Sequence, residues 1–212
     1  MSTGNDIVAL GATDSERTSR YRFYSRILTR TELQSFHHLP ADAGISFSHY
    51  VWLMWSIKES AYKYCSRSET SLVFAPLTIP VVQVTHRGAG SWHGMVRYRG
   101  VLLHSRSLVR TGFISSVVSS EPDLGRTRHG VRRIPQADRS SQSALARKFA
   151  LQSLASEFPV AAGGVAAALR IVRQPDGPPE VWAGEKLLDV PVSLAHHDCL
   201  VAWSYRLPES IS

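Results

Sequence analysis

Apolar positions along the chain follow a helical period, then a strand period, and then repeat that order. GNDIVAL, residues 4–10, reads as a short strand, with Gly4 and Asn5 easing the turn into it. In SRYRFYSRILTRTELQSF, Tyr21, Tyr24, Ile27 and Leu28 recur at helical spacing. Thr29, followed three residues on by Glu32, has the pattern of a capping box and marks a helix start. From Phe47 to about Arg67 the chain holds neither Gly nor Pro and is apolar almost all round, which predicts a buried helix. Residues 71–87, 94–105 and 111–120 are β-branched, short and broken by Pro or Gly, and predict an antiparallel sheet. Residues 117–141, rich in Ser, Arg, Pro and Gly, read as a connector. A second helix is expected from about Ser143, then strands around 168–173 and 179–184 with QPDGPP as their turn. VPVSLAHHDCLVAWSY, residues 190–205, predicts strands interrupted at His196 and His197. Helix then sheet, twice over, indicates an α+β chain with two similar halves.

The 212 residues suffice for one larger domain or two small ones, and the 43% hydrophobic content argues for a folded core. No run of 18 apolar residues suggests a transmembrane helix. The N-terminus lacks the basic start and apolar stretch of a signal peptide, so a cytoplasmic protein is expected. Cys65 and Cys199 sit in apolar segments without metal-type spacing and read as reduced core thiols. A net charge of +7 suits nucleic acid, anionic membranes, phosphorylated small molecules or acidic proteins as partners. Residues 126–139 hold Arg126, Arg128, Arg132, Arg133 and Arg139 against one aspartate. A solvated linker and an anion-binding run both fit that composition. The chain carries neither an RNA-recognition aromatic signature nor a Cys/His finger spacing, so nucleic acid is not the expected partner.

WSIKESAYKY, residues 55–64, sets Lys58 and Glu59 side by side, with Lys63 four positions after the glutamate. On a helix Glu59 and Lys63 share a face and Lys58 turns about 100° away. The plainest role is an i,i+4 ion pair that stabilises the helix by roughly 0.2–0.5 kcal/mol. Asp6 and His196 have plain roles too, as a turn cap and a satisfied core histidine. Together the four residues suggest more. Two carboxylates from separate elements can bind Mg²⁺, which takes oxygen ligands and leaves positions for water and substrate phosphate. Lysine and histidine can then neutralise phosphate charge as it develops.

GNDIVAL, WSIKESAYK and VSLAHHD resemble, in order, the three signatures of the 4′-phosphopantetheinyl transferases as arranged in holo-acyl-carrier-protein synthases. FYSRILTRTEL is similar to the family's arginine-rich helix and LT-x-x-E stretch, and FAP, residues 74–76, to a short motif after the catalytic helix. The Lys-Glu helix is the most specific match. In length the chain instead resembles the surfactin-type group, in which two similar halves share one chain, whereas the shorter synthases form trimers with sites between subunits. The resemblance implies a pseudo-twofold monomer with its halves in swapped order. Residues 1–118 would form the first half, 119–141 a basic connector, and 142–212 the second half.

The resemblance also implies a chemistry. Mg²⁺ would be held by Asp6 and Glu59, with coenzyme A as co-substrate and an apo acyl or peptidyl carrier protein as acceptor. Glu59 would act as general base, directly or through a water, and Lys63 would reach the diphosphate. His196 would contact a coenzyme A phosphate, and Arg132, Arg133 and Arg139 would hold the 3′-phosphate. Lys58 would point elsewhere, toward the other half. Three departures stand out. Val8 occupies a position where the longer group often has a third metal-binding carboxylate, Ala195 replaces a serine, and Gly177–Pro179 replaces a Gly-Lys-Pro. The rival reading is a non-catalytic coenzyme A- or carrier-binding module of the same fold.

Overall fold

β1 (Gly4–Ala9) is buried at every position, which requires cover on both faces of the strand. Three elements supply it. In the computed structural model, which describes residues 2–69, 71–157, 169–173 and 177–208, β1 pairs antiparallel with β5 (Phe113–Ser119). It thereby forms the edge of a sheet ordered β1-β5-β4-β3-β2, completed by β2 (Val81–His86), β3 (Ser91–Tyr98) and β4 (Val101–Arg110). The long helix α4 (Phe47–Cys65) lies on one face of this sheet, and Tyr50, Leu53, Met54, Ile57 and Ala61 pack with Trp92, Val96 and Leu103. A second sheet, ordered β10-β11-β6, covers β1 on the opposite side. It consists of β6 (Thr127–Arg133), β10 (Val192–His197) and β11 (Leu200–Arg206), and Ala195, Leu200 and Ala202 pack on Ile7 and Ala9.

Gly4 lies inside β1 and is not part of a turn before it. A Cβ there would collide with the Ser60 carbonyl oxygen and come within 2.7 Å of Tyr64 N, so the missing side chain lets the strand press on α4.

The helices before α4 are short. α1 (Ser15–Thr18) and α2 (Tyr21–Tyr24) are single turns, and the spacing through Ile27 and Leu28 does not continue as helix. Thr29 caps α3 (Arg30–His37) in the expected box with Glu32. Of residues 71–87 only 81–86 are strand; Pro76–Thr78 form a 3₁₀ turn.

The second helix, α5 (Arg139–Glu157), buries Ala146, Ala150 and Leu154 at i, i+4 and i+8 on its inner face. Phe149 stacks on Trp203 of β11 at 6.0 Å. β7 (Leu169–Arg173) and β8 (Pro179–Ala183) pair as expected, and β9 (Lys186–Leu188) adds a third strand. Of the QPDGPP turn, 174–176 lie outside the described residues.

Two segments differ from expectation. Residues 127–133, inside the region read as a connector, are a strand paired along its length with β11. Composition hides this, because the ladder depends on a partner some seventy residues away in sequence. Gly130 sits opposite Trp203, where any Cβ would strike the indole. The two histidines lie within β10, and the break falls at Asp198, which takes φ 53°. The protein is α+β, with small antiparallel sheets and two long helices packed on them.

Candidate active site

One cavity of about 450 Å³ gathers Asp6 from β1, Glu59 and Lys63 from α4, and His196 from β10. Arg67, Arg139, Arg147 and Arg173 also line it.

Lys63 stands at its centre. Its Nζ donates to Asn5 O at 3.1 Å and Asp6 Oδ1 at 3.4 Å, and lies 3.3 Å from Glu59 Oε1. Burial opposes the ammonium charge, but Asp6 and Glu59 outweigh burial and hold Lys63 above the ordinary lysine value. Burial pushes Asp6 up to about 7 against the pull of Lys63. Asp6 Oδ2 is buried and has no hydrogen-bond partner. Such an atom is costly unless something satisfies it. A hard divalent cation that accepts carboxylate oxygens meets that need, with Glu59 beside it as second donor. Asp6 and Glu59 are the two carboxylates of the cavity lining, and no group of three or more potential ligands occurs among the described residues. Val8 packs in the core with α4 residues and does not line the cavity.

β10 is held against β1 by its own side chains. The Asn5 N–H donates to Ser193 Oγ at 3.1 Å, and the Ala9 N–H donates to His197 Nδ1 at 3.0 Å. His197 therefore secures the strand, while His196 turns to the cavity. Burial, then Arg139 and Lys63, lower the His196 pKa and favour its neutral imidazole. Ala195 lies between the two tethers and contributes no hydroxyl.

Of the three arginines expected to bind phosphate, Arg139 lines the cavity and Arg132 and Arg133 do not. Arg132 sits over the Phe149 ring at 5.8 Å. Arg67, Arg147 and Arg173 were missed. Arg67 follows Glu59 and Lys63 at i, i+4 and i+8 spacing, a signal legible in the sequence, although α4 ends at Cys65 and Arg67 lies in the turn after it. Its guanidinium donates to Val192 O. Burial pushes Arg67 down to about 10.

Lys58 belongs to neither the cavity nor the second half. Its Nζ, wholly buried, donates to Ile27 O (2.7 Å), Glu32 Oε2 (2.8 Å) and Pro76 O (3.0 Å). Glu32 also accepts from Thr29 N and Val81 N, both at 2.7 Å. The buried charge on the apolar helix is thus Lys58. Glu59 has 26% of its side chain exposed, toward the cavity.

The family model of the 4′-phosphopantetheinyl transferase superfamily matches residues 2–100. The matched span holds Asp6, Glu59 and Lys63, and His196 lies outside it, so the likeness to this superfamily of transferases covers just under half of the chain. None of the curated proteins matches the chain.

Proposed function

We propose that this protein transfers the phosphopantetheine arm of coenzyme A to a serine of an apo acyl or peptidyl carrier protein. The observation that carries the proposal is the convergence of Asp6, Glu59, Lys63 and His196 on one cavity with a cation-rich wall. Asp6 and Glu59 would hold Mg²⁺, which when bound withdraws charge from the diphosphate. Glu59, open to the cavity, accepts the proton of the attacking serine hydroxyl. The serine oxygen bonds to the β-phosphorus as the bridging P–O bond breaks, and adenosine 3′,5′-bisphosphate leaves. Lys63 stabilises charge on the transferring phosphoryl group. His196 and the arginines of the wall bind the remaining phosphates, guanidinium being suited to them.

Incubation with coenzyme A, Mg²⁺ and a panel of apo-carriers is the test, read as a mass gain on the carrier. Wild-type protein is expected to transfer, and Asp6→Ala and Glu59→Gln are not. Full transfer in excess EDTA would refute the metal-dependent mechanism. The absent hydroxyl at Ala195 favours a second reading, a non-catalytic module that binds coenzyme A or a carrier. Retained coenzyme A binding with no transfer to any carrier would establish it.

The cavity draws Asp6, Glu59 and Lys63 from the first half (1–118) and His196 from the second (142–212), which supports a pseudo-twofold monomer in which 119–141, more than a connector, supplies β6 to the second sheet. Light scattering is expected to give the 23.5 kDa of one chain; an obligate trimer with site residues at subunit contacts would refute it.

A further inference from the structure

The five-stranded sheet has a second face, away from α4, and its outer strands leave that face open. Trp92, Val96 and Leu103 point into the core beneath α4, so the alternate residues of β3 and β4 point outward. The register sets them in cross-strand rows: Arg97 beside Leu102, Met95 between Gln83 and His104, His93 between Thr85 and Arg106. Residues 71–120, which span all of β2–β5, contain five arginines and three histidines and not one aspartate or glutamate. A sheet face that is merely solvated carries mixed charge; this one carries a single sign. Of the acids that flank this stretch, Glu69 pairs with Arg99 at 2.6 Å, and Asp123 has its carboxylate engaged by the Gly125 N–H while its backbone oxygen accepts from Arg106.

Apolar groups lie among these cations. Leu102 is 40% exposed, and Val82, at the bulge of β2, is 46% exposed. A cavity of about 190 Å³ opens on the face between Gln83, Arg87, His93, Met95 and His104, with Pro122 at its rim. Arginine, methionine and leucine without lysine are the composition of a protein interface. No Phe, Tyr or Trp projects from these rows, and His93 and His104 are their only rings, which sets the face apart from the aromatic platforms of single-stranded nucleic-acid binders.

We propose that this open face of β2–β4 docks an acidic amphipathic helix of a partner protein, its apolar side on Met95 and Leu102 and its carboxylates against Arg87, Arg97 and Arg106. The surface is separate from the candidate active site, which is lined from β1, α4, α5 and β10. It therefore provides a second point of attachment independent of catalysis. Sheets commonly take helices on both faces, so a helix fits the geometry.

The probe is a synthetic helical peptide of repeated Glu-Leu-Glu-Glu-Leu sequence, labelled and titrated with the full chain by fluorescence anisotropy at physiological salt. Arg87→Glu/Arg97→Glu is expected to weaken binding by about tenfold or more, and Leu102→Ser to weaken it severalfold, both with unchanged melting temperature. Leu102→Ser alters no charge and keeps the test valid should the double variant fold poorly. Binding unchanged in both variants would overturn the proposal. So would tighter binding of a single-stranded oligodeoxynucleotide that the charge reversal abolishes, which would assign the face to nucleic acid.

Discussion

Lys58 and Lys63 share one helix and differ in everything around them. Lys58 has all three protons on acceptors and ties α4 to the capping box of α3, the 3₁₀ turn at Pro76 and the start of β2. Burial lowers its pKa, and Glu32 restores part of the loss. Removing one partner of such a pair strands the other charge, at a cost of roughly 3–5 kcal/mol. Lys58→Met should lose about that much stability by denaturant titration, and adding Glu32→Gln should recover part of it. Lys63→Met should cost less stability than Lys58→Met, because Asp6, already pushed up to about 7, can take a proton where the ammonium is lost, and it should abolish carrier modification.

At the scale of elements, β6 is what the composition concealed. Its ladder with β11 places His129 against β5, where Nε2 meets Ser115 Oγ at 2.8 Å. Burial, and then Arg106, push His129 down to about 4. A folded pKa below the unfolded value of about 6.5 means the folded protein resists protonation. Stability from this group is therefore complete above pH 6.5 and is lost as pH falls from there toward 4. At pH 5 the loss should be on the order of 2 kcal/mol. Thermal melts at pH 7.5 and 5.0 should show a larger drop for wild type than for His129→Gln. Equal drops would mean that His129 protonates freely in the folded protein.

For the whole molecule, the arrangement of cations decides what the cavity can bind. Arg67 comes from the turn after α4, Arg139 and Arg147 from α5 and Arg173 from β7, while Arg132 and Arg133 are exposed at the end of β6. Arg67→Ala with Arg147→Ala should raise KM for coenzyme A while sparing kcat, the mark of lost uniform binding. Arg132→Ala with Arg133→Ala should change neither, because exposed charges away from the cavity contribute little. Dephospho-coenzyme A is the control: the first variant should discriminate against it less than wild type does. The opposite ranking of the two variants would move the phosphate site to β6.

The local sequence already contained the α4 helix, the capping box at Thr29 and an antiparallel sheet over 71–120, because each depends on neighbours within a few residues, although the segment read at 94–105 runs through the turn at Gly100 that separates β3 from β4. It also contained the order Asp6, Glu59, Lys63, His196, as motifs that can be recognised without coordinates. Tertiary structure alone decided what pairs over long separations. It made β6 a strand through β11, gave Gly4 its reason through Ser60, and buried Lys58 rather than Glu59 by bringing Glu32, Ile27 and Pro76 around it. It also brought Arg67, Arg147 and Arg173 to the wall of the cavity beside Arg139, and kept Arg132 and Arg133 out of that wall. A run of like charge in sequence says how strong a field is, whereas the register of a distant strand says where it points.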